Sequence, residues 1–144
     1  LTKGVLSLIG PAGAEIWLDG GHNAGGGAAL AEAMAEMEDE TQRPLVLICG
    51  TLANKDTRGF LAPFVGLASE VLAAPIGGEH AGRPPHEVAE TARGLGIAAA
   101  PQPSLEAAFG ALASRKWRVP PRILICGSLY LAGEALARDG ALVE

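Results

Sequence analysis

Two short, uninterrupted apolar runs constrain this chain most: Leu45-Val46-Leu47-Ile48-Cys49 and Ile123-Leu124-Ile125-Cys126. Neither alternates apolar with polar residues, so a strand built from either must be covered on both faces. Helices on the two sides of a mainly parallel sheet provide that cover. Each run leads into the same small pattern, Gly50-Thr51-Leu52 in one case and Gly127-Ser128-Leu129 in the other. Nothing around the two stretches matches, so the echo reads as one structural demand met twice: a hydroxyl residue at the C-terminal end of a buried strand.

The remaining segments fit the same architecture. Residues 15–19 form an apolar stretch running into Gly20-Gly21, a strand and a turn. Over residues 28–39, Leu30, Met34 and Met37 fall at i, i+4 and i+7 while Glu32, Glu36 and Asp39 face elsewhere, which predicts an amphipathic helix with a solvated acidic face. Thr57 is placed to cap a short helix reaching residue 64, and residues 70–73 read as a third strand. Residues 77–85 are dense in Gly and Pro and read as a loop, followed by a helix over 86–95 and a brief strand near 97–99. Ser104 is placed as the N-cap of a helix reaching 114, residues 122–126 form another buried strand, and a last helix over 128–138 is closed by Gly140. Trp17 and Trp117 are expected to pack against the core and helix edges. Strand and helix alternate throughout, which predicts an α/β, Rossmann-like open sheet with helices on both faces.

Composition narrows the partners. A length of 144 residues with 49% hydrophobic content suits one domain spanning residues 1–144 with one filled core. The formal charge of −5 argues against a broad phosphate-neutralising surface, so no nucleic acid is expected. The apolar runs stop far short of the roughly 20 residues that cross a bilayer, so a soluble chain without membrane contact is expected. Cys49 and Cys126 each end an apolar run, the ordinary place for a reduced, buried thiol in a cytoplasmic protein. The start, Leu1-Thr2-Lys3-Gly4, reads as a chain entered mid-sequence, an excised domain. Glu79, His80, His86 and Glu87 lie close in sequence, but their spacing is not that of a metal site, and no metal ligand is assigned to this chain.

In open α/β sheets, ligands bind outside the C-terminal ends of the strands. Residues 19–23, residues 51–56 and Ser128 therefore become neighbours on one rim if their three strands run parallel. The stretch Asp19-Gly20-Gly21-His22-Asn23-Ala24-Gly25-Gly26-Gly27 allows close backbone approach, and a following helix N-terminus suits phosphate or carboxylate. It lacks the Lys-Ser/Thr of an ATP phosphate loop. Lys55 adds a cation beside the same rim. The plainer readings are a Gly-rich turn with Asp19 or Asn23 as helix cap, and a solvated loop in which Lys55 pairs with Asp56.

Three stretches in order carry a resemblance. Leu18-Asp19-Gly20-Gly21-His22-Asn23 resembles the Leu-Asp-Gly-Ala-His-Asn-Pro motif of the dihydrofolate synthase/folylpolyglutamate synthase family, within the Mur ligase superfamily. Gly50-Thr51-Leu52-Ala53-Asn54-Lys55-Asp56 is similar to that family's Gly-x-x-x-x-Lys-Asp loop, and Gly127-Ser128-Leu129-Tyr130-Leu131-Ala132-Gly133 is similar to its Gly-Ser-Leu-Tyr-Leu-x-Gly stretch. The resemblance implies the C-terminal domain of an ATP-dependent ligase that joins L-glutamate to dihydropteroate or reduced folates through an acyl phosphate, in folate biosynthesis and one-carbon metabolism. It implies a separate N-terminal ATP-binding domain carrying the phosphate loop and the magnesium ligands, a monomeric enzyme, and no activity for this stretch alone. By the same resemblance Asp19 contacts the nucleotide and His22 lies near the phosphates. His22 and Lys55 serve the catalytic step, and Asn23, Lys55 and Ser128 line the glutamate site. Ala24 stands where the family has Pro, which loosens that loop.

Three other readings use the same residues. A different Mur-type ligase, such as a peptidoglycan-precursor enzyme, would add another amino acid through the same acyl phosphate. A nicotinamide-nucleotide-binding module needs an acidic residue ending the second strand, where this chain has Cys49-Gly50. The third is a stand-alone binding module without chemistry.

Overall fold

The computed structural model describes residues 10–19, 24–77 and 82–143. Five strands run in one direction: β1 (Glu15–Leu18), β2 (Leu45–Cys49), β3 (Glu70–Ala73), β4 (Ala99–Pro101) and β5 (Arg122–Cys126). Their order across the sheet is β1-β5-β2-β3-β4, and every pairing is parallel. The helices are α1 (Ala24–Glu40), α2 (Thr57–Leu61) with a 3-10 turn Ala62–Phe64, α3 (Pro85–Gly94), α4 (Leu105–Ala113) and α5 (Leu129–Val143).

The apolar runs do what their lack of alternation requires. In β2 and β5 every residue is buried, and successive side chains enter two different cores. Leu47, Cys49, Leu124 and Cys126 join the core formed with Leu30, Met34, Phe60, Phe64 and Val88, the residues of α1, α2 and α3. Val46, Ile48, Ile123 and Ile125 join the other core with Leu105, Phe109, Leu112 and Leu131 from α4 and α5. The chain thus steps β1, β2, β3, β4 with α1, α2 and α3 on one face, then returns through α4 on the other face to insert β5 between β1 and β2. Winding out along the sheet on one face and back on the other is the doubly wound arrangement.

Several boundaries differ from the sequence expectation. Helix α1 starts at Ala24 rather than residue 28, which puts Gly25-Gly26-Gly27 inside the helix. A Cβ at Gly27 would lie 2.3 Å from the Phe60 carbonyl oxygen, so this glycine lets α1 lie directly against α2. The glycine-rich stretch therefore serves helix packing at that point, where sequence alone suggested only loop freedom. Helix α2 is capped by Asp56, whose carboxylate accepts from Gly59 N at 2.9 Å. Thr57, the expected cap, is buried and hydrogen-bonded through Oγ1 to Thr51 Oγ1 at 2.7 Å. The strand expected near residue 97 pairs two residues later, at Ala99–Pro101. Ser104 caps α4 as expected, accepting from Ala107 N at 2.9 Å. Helix α5 runs past Gly140 to Val143, since a glycine inside a packed helix costs only about 1 kcal/mol. Trp17 is not core: it is 43% exposed, and its indole N–H donates to Glu15. Trp117 is half-buried and donates to the Leu112 carbonyl at 2.7 Å.

The N-terminal edge of the sheet is tied by charge. Arg122, 2% exposed at the start of β5, donates to Glu15 at 3.0 Å, Glu38 at 3.5 Å and the Thr41 carbonyl at 3.0 Å. Burial alone would raise the Glu15 carboxyl, but the Trp17 indole and the Arg122 and Arg43 guanidinium groups hold it below the usual carboxylate range. On the opposite side of the sheet, Glu70 and Arg115 form a two-contact ion pair that raises the Arg115 guanidinium.

Candidate functional site

The chain winds in opposite directions on the two sides of β5. After β1 and β2 it turns to the α1–α3 face; after β5 it turns to the α4–α5 face. Loops leaving adjacent strands toward opposite faces open a crevice at the C-terminal ends of those strands, which is where ligands enter this kind of sheet. The residues at this switch are Asp19 after β1, Ser128 after β5 and Thr51 after β2. Asp19, Thr51 and Ser128, the described starts of the three stretches singled out from sequence, thus lie on one rim, as a parallel β1-β5-β2 arrangement requires.

Backbone contact locks the three strand ends together. Asp19 N donates to the Ile125 carbonyl at 3.0 Å, and Gly50 N donates to the Cys126 carbonyl at 3.3 Å. Gly127 has φ +98, and a Cβ there would lie 2.7 Å from the Gly50 carbonyl oxygen, 2.9 Å from Cys49 Sγ and 3.2 Å from Thr51 Cγ2. A Cβ at Gly50 would in turn lie 2.7 Å from the Ala74 carbonyl oxygen. The two Gly-hydroxyl patterns are therefore required by close approach: each strand end is packed too tightly for a side chain, and the hydroxyl residue beyond it is buried and holds the start of the following segment, Thr51 through Thr57 and Ser128 through Tyr130 N.

Ser128 is 1% exposed and starts α5, its Oγ accepting from Tyr130 N at 3.0 Å and Leu131 N at 3.4 Å. A cap uses the lone pairs of the hydroxyl and leaves its proton to donate. Asp19 is half-buried beside the buried thiols. The contact with Cys49, burial, and the negative charges of Cys49 and Asp19 all push the Cys126 thiol well up. Cys49 and Cys126 face each other in register on β2 and β5, both free, as expected from sequence.

Lys55 is half-buried at the end of a turn closed by Lys55 N donating to the Leu52 carbonyl at 3.1 Å. Asp56 turns away from it to cap α2, so the Lys55–Asp56 pair considered from sequence is not formed. The residue that sequence reasoning missed is Arg83, which reaches across to this turn from the segment before α3. Its Nη2 donates to the Ala53 carbonyl at 2.6 Å and to the Lys55 carbonyl at 2.9 Å. The only sequence signal for it was a lone Arg in a Gly/Pro-rich stretch. His22 and Asn23 lie outside the described residues, as do Glu79 and His80. His86 is exposed in the first turn of α3, and the described residues contain no group of three or more His, Cys, Asp or Glu side chains able to hold a metal. No described helix is long and apolar enough to cross a membrane.

A cavity of about 370 Å³, lined by Glu38, Arg43, Leu67, Trp117 and Arg118 among others, lies at the N-terminal end of β2. It is at the far end of the strand from the rim and holds none of the candidate site residues Asp19, Lys55 and Ser128.

Residues 7–138 match the family model described as dihydrofolate synthetase, C-terminal domain. Among solved structures, Escherichia coli FolC in complex with DHPP and ADP matches with a TM-score of 0.73 at 22% identity, over 90% of this chain and 29% of that one. The bifunctional folylpolyglutamate synthase/dihydrofolate synthase from Yersinia pestis, complexed with AMPPNP and Mn ion, matches with a TM-score of 0.71 at 23% identity, over 85% and 28%. Folylpolyglutamate synthase from Mycobacterium tuberculosis, complexed with ADP and AMPPCP, matches with a TM-score of 0.70 at 25% identity, over 87% and 29%. The chain thus spans less than a third of the length of these proteins. No curated protein sequence matches it.

Proposed function

The chain belongs to the family of dihydrofolate synthetase C-terminal domains, and from that premise we propose that its strand-end rim is one half of the active site of an ATP-dependent ligase joining L-glutamate to dihydropteroate or reduced folates. The other half belongs to an N-terminal domain that carries the ATP phosphate loop. The observation that supports this reading is that β1, β5 and β2 lie side by side and parallel, so that Asp19, Ser128 and Thr51 follow their C-terminal ends on one edge of the sheet. The ligands present in the related structures, ADP, AMPPNP, Mn and DHPP, fit a reaction using a nucleotide, a divalent metal and a pteridine acid.

In such a reaction a substrate carboxylate is phosphorylated by ATP, and the amino group of glutamate displaces phosphate to form the amide. This chain contributes position and charge. Lys55 supplies a cation for a glutamate carboxylate, and Ser128 and Asn23 supply hydroxyl and amide donors. Asp19 contacts the nucleotide, and His22 lies near its phosphates. Closure of this domain on its partner domain brings glutamate to the acyl phosphate and excludes water, which hydrolyses such an intermediate. The divalent metal, magnesium in the cell, neutralises phosphate charge. By the family resemblance its ligands are assigned to the partner domain. We place the enzyme in the cytoplasm as a monomer.

Replacing Lys55 by Ala in the ligase that carries this domain tests the reading. The KM for L-glutamate is expected to rise at least tenfold while the KM for ATP holds. An unchanged glutamate KM would remove Lys55 from the site.

A further inference from the structure

The turn that carries Lys55 is not self-supporting. One hydrogen bond, Lys55 N to the Leu52 carbonyl at 3.1 Å, closes it. Ala53 and Asn54 at its tip are exposed. On the α2 side Thr57 N donates to the Lys55 carbonyl at 3.1 Å, and further support comes from the segment just before α3. Arg83 N donates to the Thr51 carbonyl at 2.8 Å, and Leu52 and Gly82 form an isolated antiparallel bridge. From the same residue the guanidinium Nη2 binds two carbonyls of the turn at once, those of Ala53 and Lys55. Its Nη1 stands 3.6 Å from Glu87 on the first turn of α3, which holds the fork against a helix that is itself in the core. Arg83 Nε is buried without a hydrogen-bond partner among the described residues. The guanidinium thus leaves one buried donor unmatched while reaching both carbonyls, which is the cost of this particular placement.

Arg83 and Thr57 N together bind the carbonyl of Lys55 and fix the ψ angle of that residue, and the Arg83 contact to the carbonyl two residues earlier fixes the peptide planes leading into it. Together they set the direction in which the Lys55 side chain leaves the backbone. Lysine is a compact charge on a flexible stem, so the aim of its ammonium depends on the backbone that launches it. A planar fork meets two carbonyls from a fixed position, whereas a lysine at the same place has one rotating point donor.

On the reading of Lys55 given above, we propose that Arg83 is a positioning residue for the amino-acid substrate: it holds the Lys55 turn in the geometry that meets a glutamate carboxylate. It touches no substrate and acts only through Lys55.

The test is a double-mutant cycle in the ligase that carries this domain, using Arg83→Ala, Lys55→Ala and the double variant, with Arg83→Lys as the conservative change. Arg83→Ala is expected to raise the KM for L-glutamate about tenfold, with the ATP KM and the melting temperature of the other domain unchanged. Arg83→Lys is expected to recover little of the loss. In the Lys55→Ala background, adding Arg83→Ala is expected to change the glutamate KM less than twofold. An equal loss in both backgrounds, a loss in kcat and ATP KM alike, or full recovery by lysine would show a merely structural role and overturn the proposal. If Lys55→Ala raises the KM and Arg83→Ala does not, Arg83 falls alone. If Lys55→Ala itself leaves the KM unchanged, the reading of Lys55 falls and Arg83 with it. Glu87→Gln, which spares both carbonyl contacts, keeps the test interpretable if Arg83→Ala fails to fold: a small glutamate KM increase of about two- to threefold is expected, and none in the Lys55→Ala background.

Discussion

Replacing Gly127 with Ala separates the close packing of the strand ends from backbone conformation alone. Gly127 has φ +98, a region where an L side chain costs roughly 1–2 kcal/mol. The new Cβ would also sit 2.7 Å from the Gly50 carbonyl oxygen and 2.9 Å from Cys49 Sγ. Neither can move far: one is backbone at the end of β2, the other a fully buried thiol. Overpacking of this kind adds about 1–3 kcal/mol, for a total loss of about 2–5 kcal/mol. Gly66 supplies the control, since its φ is +82 but a Cβ would meet nothing within 4 Å. Gly66→Ala should therefore cost only the conformational part, about 1–2 kcal/mol. Urea unfolding of the two variants and the parent, with m-values compared to confirm that the unfolded states match, measures the difference. If Gly127→Ala loses no more than Gly66→Ala, the β2 and β5 ends are not in close contact, and the account of the rim is wrong.

Other expectations follow from the same geometry. Gly133→Ala, inside α5 with nothing within 4 Å of the new Cβ, should stabilise by about 0.5–1 kcal/mol in the same urea assay. Ser104→Ala and Ser128→Ala should each cost about 1 kcal/mol as lost caps, but only Ser128→Ala should also weaken glutamate binding in the ligase, read as KM. The Glu15 carboxyl is held below its ordinary value, so the folded chain resists a proton that the unfolded chain accepts as pH falls through about 4.3; stability should drop on that acid limb, and Glu15→Gln should flatten the drop in pH-dependent unfolding. The Cys126 thiol is pushed up, so above about pH 8.5 the unfolded chain releases a proton that the folded chain keeps; stability should decline there, and Cys126→Ala should reduce the decline.

Much of the fold is legible in the sequence because its strongest signals are also its strongest constraints. Runs with no polar alternation must be buried on both faces, and that condition alone gives the parallel sheet and the shared rim. Local caps were harder. Thr57 and Asp56 are both good N-cap residues, and the choice between them was decided by Thr51, a residue six positions away whose hydroxyl claims Thr57. The role of Gly27 was hidden for a related reason: its neighbour is Phe60, which only the folded sheet brings against it. Arg83 was invisible because its partners are backbone carbonyls, which no side-chain pattern encodes. Trp17 was misjudged because β1 is an edge strand, paired only with β5, which leaves its ring exposed.

The most direct test of the central claim is glutamate incorporation by the protein that carries this domain together with an ATP-binding domain. Radiolabelled L-glutamate, ATP, magnesium and either dihydropteroate or tetrahydrofolate are supplied, and labelled product and released phosphate are both counted. The account predicts one phosphate released per glutamate joined, dependent on the pterin acid and, at a glutamate concentration below KM, reduced about tenfold by Lys55→Ala. Joining of a different amino acid in preference to L-glutamate, or no joining with either pterin acid, would contradict it.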